Sequence, residues 1–215
     1  MIFQVTAMKY KAILYDIDGT LLDTFDMNMY PLMQIIREEL GQEWTLEQLR
    51  PFYAQPGLKT MTDLGIRDVD GVYARWVAYV NAYEKGAVPY PGMEEALRRI
   101  RAAGIRQAAV SSKMHRQYEI DMGRYGMDAY METAVLAEDT EKHKPDPAPI
   151  LECLRRMDLQ PEDVIYIGDA LSDLQAARNA GVDFGLAGWG SVLTDCYPGA
   201  YRFETTEEFC RFVTE

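Results

Sequence analysis

The spacing of apolar residues changes period along the chain. YKAILY (10–15) is a short apolar run between polar residues, which predicts a buried strand. From Met29 the apolar positions step by four, three and four (Met29, Met33, Ile36, Leu40), the stripe of an amphipathic helix, with Gly41 placed to end it. Thr45 is a candidate cap for a short helix in TLEQLRPFY, residues 59–64 predict another, and Val72, Trp76, Val80 and Tyr83 mark a fourth. Residues 24–88 thus read as helices with no strand among them.

Further on, strand and helix alternate. A helix over 92–103 is closed by Gly104, and IRQAAV (105–110) is a strand. A helix near 114–125, a short strand near 133–136, a helix near 147–157, the strand VIYIG (164–168), a helix over 171–181 and the strand VDFGLA (182–187) follow. Such alternation needs right-handed crossovers and produces a parallel sheet with helices on both faces. The expected fold is α/β: a doubly wound, Rossmann-like core of residues 1–23 and 89–215, interrupted by an all-helical cap at 24–88. Met8 is as good a start as Met1, which would leave residues 1–7 as an upstream extension.

Composition narrows the function classes. The 215 residues are 48% hydrophobic and 26% charged, ordinary globular values, and the apolar runs are too short to span a membrane. No secretory signal is read at the N-terminus. The three cysteines, Cys153, Cys196 and Cys210, form no CxxC or metal spacing, so free thiols in a reducing, cytoplasmic setting are expected. A net charge of -12 argues against nucleic acid or anionic membranes as partners. A site for an anionic substrate would have to supply its own positive charge.

In an open parallel sheet, ligands bind beyond the carboxyl ends of the strands. Four segments deliver polar residues to that edge: Asp16-Ile17-Asp18, Ser111-Ser112-Lys113, Lys144-Pro145, and Gly168-Asp169 with Asp173 one turn later. Asp16 and Asp18 are two apart, so while the strand persists they share a face and repel unless a cation joins them. With Asp169 and Asp173 they make a hard oxygen set that suits Mg²⁺. Lys144 adds positive charge and Ser111 a donor, the equipment of phosphoryl transfer.

These segments, YDIDGTLLD, AVSSK, HKPDP and IGDALSD, resemble in order the four motifs of the haloacid dehalogenase superfamily. The helical insertion, PYPGMEEAL and the AGV…GWG segment (180–190) are similar to its phosphoglycolate phosphatase-like branch. The resemblance implies a phosphatase acting on a small phosphorylated metabolite through an aspartyl-phosphate. Asp16 would be the nucleophile and Asp18 the general acid and base. Mg²⁺ would be held by Asp16, the Asp18 carbonyl and Asp169, with Asp173 assisting. Ser111 would bond a phosphoryl oxygen, and Lys144 would neutralise nucleophile and phosphate. Gly19 permits a tight turn whose N–H groups approach the phosphate, with Thr20 beside it. Ser112 competes with Ser111, although the family register favours Ser111, and Lys113 is a further candidate phosphate ligand. A second aspartate at position 18 disfavours dehalogenase and phosphonate hydrolase chemistry.

Other readings stay open at this level. A phosphomutase of the same superfamily carries the same motifs, and a binding protein could keep the fold without turnover. Taken alone, Lys144 is an ordinary surface lysine and Asp173 an ordinary acid in a helical turn. His115 and His143 have no catalytic role in this scheme, and the aromatics of 24–88 fall mainly on packing stripes. The exception is the loop 55–59, where Lys59 is a candidate reader of the leaving group.

Overall fold

The computed structural model describes residues 9–53, 55–193 and 197–215. The chain divides into two compact units, one comprising the chain up to Leu21 and from Pro89 onward, the other Leu22–Val88. Strand β1 (Ala12–Tyr15) is completely buried, and Ile13 and Leu14 each contribute roughly 1.5–3 kcal/mol of hydrophobic stabilisation.

The second unit opens with β2 (Leu22–Asp23), which pairs with β3 (Val88–Pro89) as a short ribbon. This strand pairing at the ends of the stretch is absent from the sequence reading, because two-residue strands leave no periodic signal. Between them lie α1 (Phe25–Leu40), α2 (Leu46–Leu49), α3 (Gly57–Asp63) and α4 (Val69–Asn81). Helix α1 begins four residues before the predicted stripe, where the Asp23 carboxylate accepts the Phe25 N–H (3.1 Å), and Gly41 ends it with φ of 65°. Thr45 caps α2 in a reciprocal box with Gln48. Leu32, Ile35 and Ile36 pack with Leu49, Met61 and Trp76 into a core of their own.

The first unit continues through α5 (Met93–Ala102), β4 (Arg106–Val110), α6 (His115–Gly123), β5 (Thr133–Val135), α7 (Ala148–Met157), β6 (Val164–Gly168), α8 (Leu171–Ala180) and β7 (Asp183–Ala187). Two elements lie beyond the last predicted one, β8 (Ala200–Phe203) and α9 (Thr206–Thr214). The six-stranded sheet has the order β5-β4-β1-β6-β7-β8, and all its pairings are parallel. Leu14, Val110, Tyr166 and Leu186 on one face pack with Ile150, Leu154, Leu174 and Ala177 of α7 and α8. On the other face Gln107 Nε2 donates to Leu97 O of α5 (3.1 Å), and the Tyr15 ring meets Phe209 of α9 edge-on at 6.0 Å. Chain progression reverses across β1 and β6, so residues following those two strands flank the point where open α/β sheets bind ligands.

Cys153 and Cys210 are buried free thiols, and Cys196 lies outside the described residues, as does the proposed extension 1–7. Among the described residues no helix is long and apolar enough to cross a membrane.

Candidate active site

Strand β1 stops at Tyr15, but the Asp16 N–H still donates to Ile167 O (2.8 Å), which holds Asp16 beside β6. The chain then turns: Thr20 N–H and Leu21 N–H both donate to Ile17 O, and Ile17 is fully buried. Asp16 and Asp18 therefore do not share a strand face. They sit on a turn, and each meets a different lysine.

Lys144 Nζ lies 2.9 Å from Asp16 Oδ1 and 2.6 Å from Asp173 Oδ1, with its side chain almost completely buried. It also donates to the Tyr166 hydroxyl (3.0 Å), which in turn donates to Val110 O (2.9 Å). Asp173, in the first turn of α8, uses its other oxygen to accept the Ala170 N–H at 3.0 Å, a favoured place for an anion. Lys113 makes the second pairing, 3.0 Å from Asp18 Oδ1 and 2.7 Å from Asp121 Oδ2. Its approach to Asp18 is electrostatic without hydrogen-bond alignment, so Asp18 Oδ1 is buried with no hydrogen bond.

Asp169, at the end of β6, presents its carboxylate to the turn, where Thr20 Oγ1 approaches at 3.4 Å. Gly19 makes that approach possible: its φ is +77°, and a Cβ there would stand 2.3 Å from Asp169 Oδ2. The segment after β7 holds the turn from the other side. Trp189 Nε1 donates to Thr20 O (2.9 Å), the Ser191 hydroxyl donates to Asp169 O, and a Cβ on Gly190 would fall 1.9 Å from Gly19 O. Ser111 is buried at the end of β4, donates its N–H to Val135 O (3.0 Å) and accepts the Lys113 N–H on Oγ (3.3 Å), whereas Ser112 is exposed.

One oxygen from each of Asp16, Asp169 and Asp173 lies within 4.8 Å of the others. Around them five buried or half-buried carboxylates, Asp16, Asp18, Asp121, Asp169 and Asp173, face two ammonium groups. Burial, only partly offset by Lys144 and reinforced by Asp173 and Asp18, pushes the Asp16 carboxyl up to about 6. Burial, reinforced by Asp173 and Asp16, also raises Asp169 well above the ordinary carboxylate range. For Lys144, burial opposes the charge, but Asp16 and Asp173 outweigh it and hold the ammonium well above its usual value. Lys113 is raised by Asp18 and Asp121 against the same desolvation. Excess negative charge on hard oxygens is what a small divalent cation neutralises, so the donor set fits one. Asp173 is already engaged by Lys144 and Ala170, which leaves Asp16 and Asp169 the carboxylates most available to it.

Asp16, Asp18, Gly19, Thr20, Ser111, Lys113, Lys144, Asp169 and Asp173 thus all belong to the first unit. Lys59 belongs to the second, in the first turn of α3 and not in a loop, since the helix starts already at Gly57 after Pro56; it is exposed and paired with Asp63 at 2.5 Å. His115 is exposed, its Nε2 3.1 Å from Asp139, and His143 is exposed. Tyr166, Asp121 and Ser191 were not singled out from sequence, and Trp189 and Gly190 only as part of a segment that resembles the phosphoglycolate phosphatase-like branch. A tyrosine inside the apolar run VIYIG was the available signal, since a buried hydroxyl needs a partner. Nothing in HRQYEIDMG distinguishes Asp121 from Glu119.

The model of the family described as haloacid dehalogenase-like hydrolase matches residues 13–187. A phosphoglycolate phosphatase from Nitrosospira multiformis is 33% identical over 184 residues, covering 80% of both chains. A pyrophosphatase PpaX from Bacillus velezensis is 25% identical over 204 residues, covering 93% of this chain and 94% of its own. A solved structure from Lactobacillus plantarum, proposed to be a phosphoglycolate phosphatase, superposes with a TM-score of 0.84 at 30% identity, over 95% of this chain and all of that one.

Proposed function

The chain belongs to the haloacid dehalogenase-like hydrolases, and we propose that it is a Mg²⁺-dependent phosphatase that hydrolyses a small phosphomonoester through an aspartyl-phosphate. The observation that carries the reading is the meeting of Asp16 with Asp169, Asp173 and Lys144 beyond β1 and β6. Asp16 is the nucleophile: its oxygen bonds phosphorus while the bond to the leaving oxygen breaks. Asp18 gives that oxygen a proton. In the second half, Asp18 takes a proton from water as the water oxygen bonds phosphorus and the phosphorus bond to Asp16 breaks, regenerating the carboxylate. Ser111 donates to a phosphoryl oxygen, and the turn through Gly19 and Thr20 offers backbone N–H groups.

Asp16, Asp169 and the Asp18 carbonyl would hold Mg²⁺, with Asp173 assisting through its grip on Lys144. The ion would neutralise charge on the transferring oxygens, which two already paired lysines do incompletely. Residues 24–88 act as the cap, and Lys59 is their candidate contact to the leaving group. The relatives named phosphoglycolate phosphatase and pyrophosphatase place those two compounds first in a substrate panel.

The test is phosphate release from phosphoglycolate, pyrophosphate, sugar phosphates, glycerol 2-phosphate and p-nitrophenyl phosphate, with Mg²⁺ and with EDTA. Turnover should need Mg²⁺, and Asp16→Asn should lower kcat about 10³-fold or more while circular dichroism stays unchanged. An Asp16→Asn protein as active as the parent overturns the mechanism. Transfer to a sugar phosphate in place of phosphate release would make the chain a mutase.

A further inference from the structure

Lys113 follows the phosphate-binding serines in sequence, yet its surroundings are those of a structural charge. Its side chain is only 7% exposed, and two carboxylates hold its ammonium, Asp121 at 2.7 Å and Asp18 at 3.0 Å. Asp121 is itself buried on α6, and its second oxygen accepts from Gln117 Nε2 at 2.9 Å. Burying a carboxylate is costly unless it is paired, and Asp121 takes no part in the chemistry above. What it does is fix the ammonium. The layout repeats the one around Lys144: Asp173 anchors Lys144 against Asp16, and Asp121 anchors Lys113 against Asp18.

The consequence falls on Asp18. Its Oδ1 is shielded beside Lys113, yet the side chain as a whole remains 35% exposed. That exposure belongs to the rest of the group, so Oδ2 is the oxygen left to exchange a proton. We propose that Lys113, anchored by Asp121, is a positioning residue that aims the Asp18 carboxyl at the leaving oxygen, and is not a phosphate ligand. The inference rests on Asp18 as the proton donor and acceptor. In the first half-reaction the proton passes from Asp18 Oδ2 to the ester oxygen as its bond to phosphorus breaks. Misdirecting Oδ2 therefore harms substrates whose leaving oxygen needs that proton, and harms p-nitrophenyl phosphate far less, because its phenolate leaves as a stable anion.

The experiment compares kcat/KM, which reports the first half-reaction without the shared hydrolysis of the aspartyl-phosphate, for p-nitrophenyl phosphate and for the faster of phosphoglycolate and glycerol 2-phosphate in Asp121→Asn, Lys113→Met and Lys113→Arg. Both rates come from one preparation, so any loss of folded protein cancels in their ratio. Asp121→Asn and Lys113→Met should lower the alkyl phosphate to p-nitrophenyl phosphate ratio about 10- to 100-fold. Lys113→Arg should recover part of it. An unchanged ratio overturns the inference, as does a rise in KM for both substrates at constant kcat, the mark of a phosphate ligand. Asp16→Asn runs beside them. If it silences both substrates while the ratio stays fixed, only the positioning role fails; if it silences neither, the phosphatase reading fails.

Discussion

At the scale of single residues, the site depends on what is missing from glycine. Gly19 occupies the left-handed region, where an L side chain costs roughly 1–2 kcal/mol, and its missing Cβ is the space that Asp169 uses. Gly104 has a similar φ of +82° and nothing within 4 Å of its would-be Cβ. The pair separates strain from displacement. Gly19→Ala and Gly104→Ala should each lose about 1–2 kcal/mol in urea unfolding. Only Gly19→Ala should also lose activity, about 10-fold or more in kcat, because it pushes the Asp169 carboxylate aside. Equal activity in the two variants would mean that the turn relaxes without moving Asp169. The charged residues follow a different logic. Asp16, Asp18, Lys144 and Asp169 were legible as a series at strand ends, and the family resemblance already set Lys144 against Asp16, but the pairing of Asp18 with Lys113 was not legible. Spacing of two suggested one shared face, and the strand ends too early for that. Asp121 reaches Lys113 only through the folding of α6, a relation that no local spacing encodes.

At the scale of elements, legibility followed burial. VIYIG was bounded to the residue because a strand buried on both faces is an unbroken apolar run. β8 escaped because AYRF places an arginine in a four-residue strand, and α9 went with it. The signal for α9 was nevertheless present: Thr205 accepts the Glu208 N–H (3.1 Å) just before Phe209 and Val213, both buried. That helix matters to the site. Phe209 is fully buried with its ring 6.0 Å from Tyr15, 5.5 Å from Phe203 and 6.1 Å from Trp189. Tyr15 precedes Asp16, the proposed nucleophile, and Trp189 holds Thr20 O. Phe209→Ala should cost about 3–5 kcal/mol in denaturant unfolding, and the remaining folded enzyme should turn over more slowly. A loss below about 1 kcal/mol would show that the neighbours collapse into the space and that α9 is not what steadies the turn.

At the scale of the whole molecule, charge sets the last expectation. A chain of net charge -12 gathers five carboxylates against two ammoniums beside one sheet edge. Without a cation, folding has to hold those acids together, and the upward displacement of Asp16 and Asp169 is the local sign of that cost. A ligand that binds only the folded state stabilises it by mass action, about 2.7 kcal/mol when present at 100 times its Kd. Mg²⁺ should therefore raise Tm, and by more than NaCl at the same ionic strength, since screening acts on surface charge generally while the ion acts at one place. Asp169→Asn supplies the decisive comparison. It removes one repelling charge, so its Tm without metal should equal or exceed that of the parent. It also replaces a proposed carboxylate ligand with a neutral amide, so its Mg²⁺-dependent rise should shrink sharply. A parent protein whose Tm follows ionic strength alone, or a variant that keeps the full Mg²⁺ response, would detach the acidic cluster from metal binding even if phosphatase activity were found.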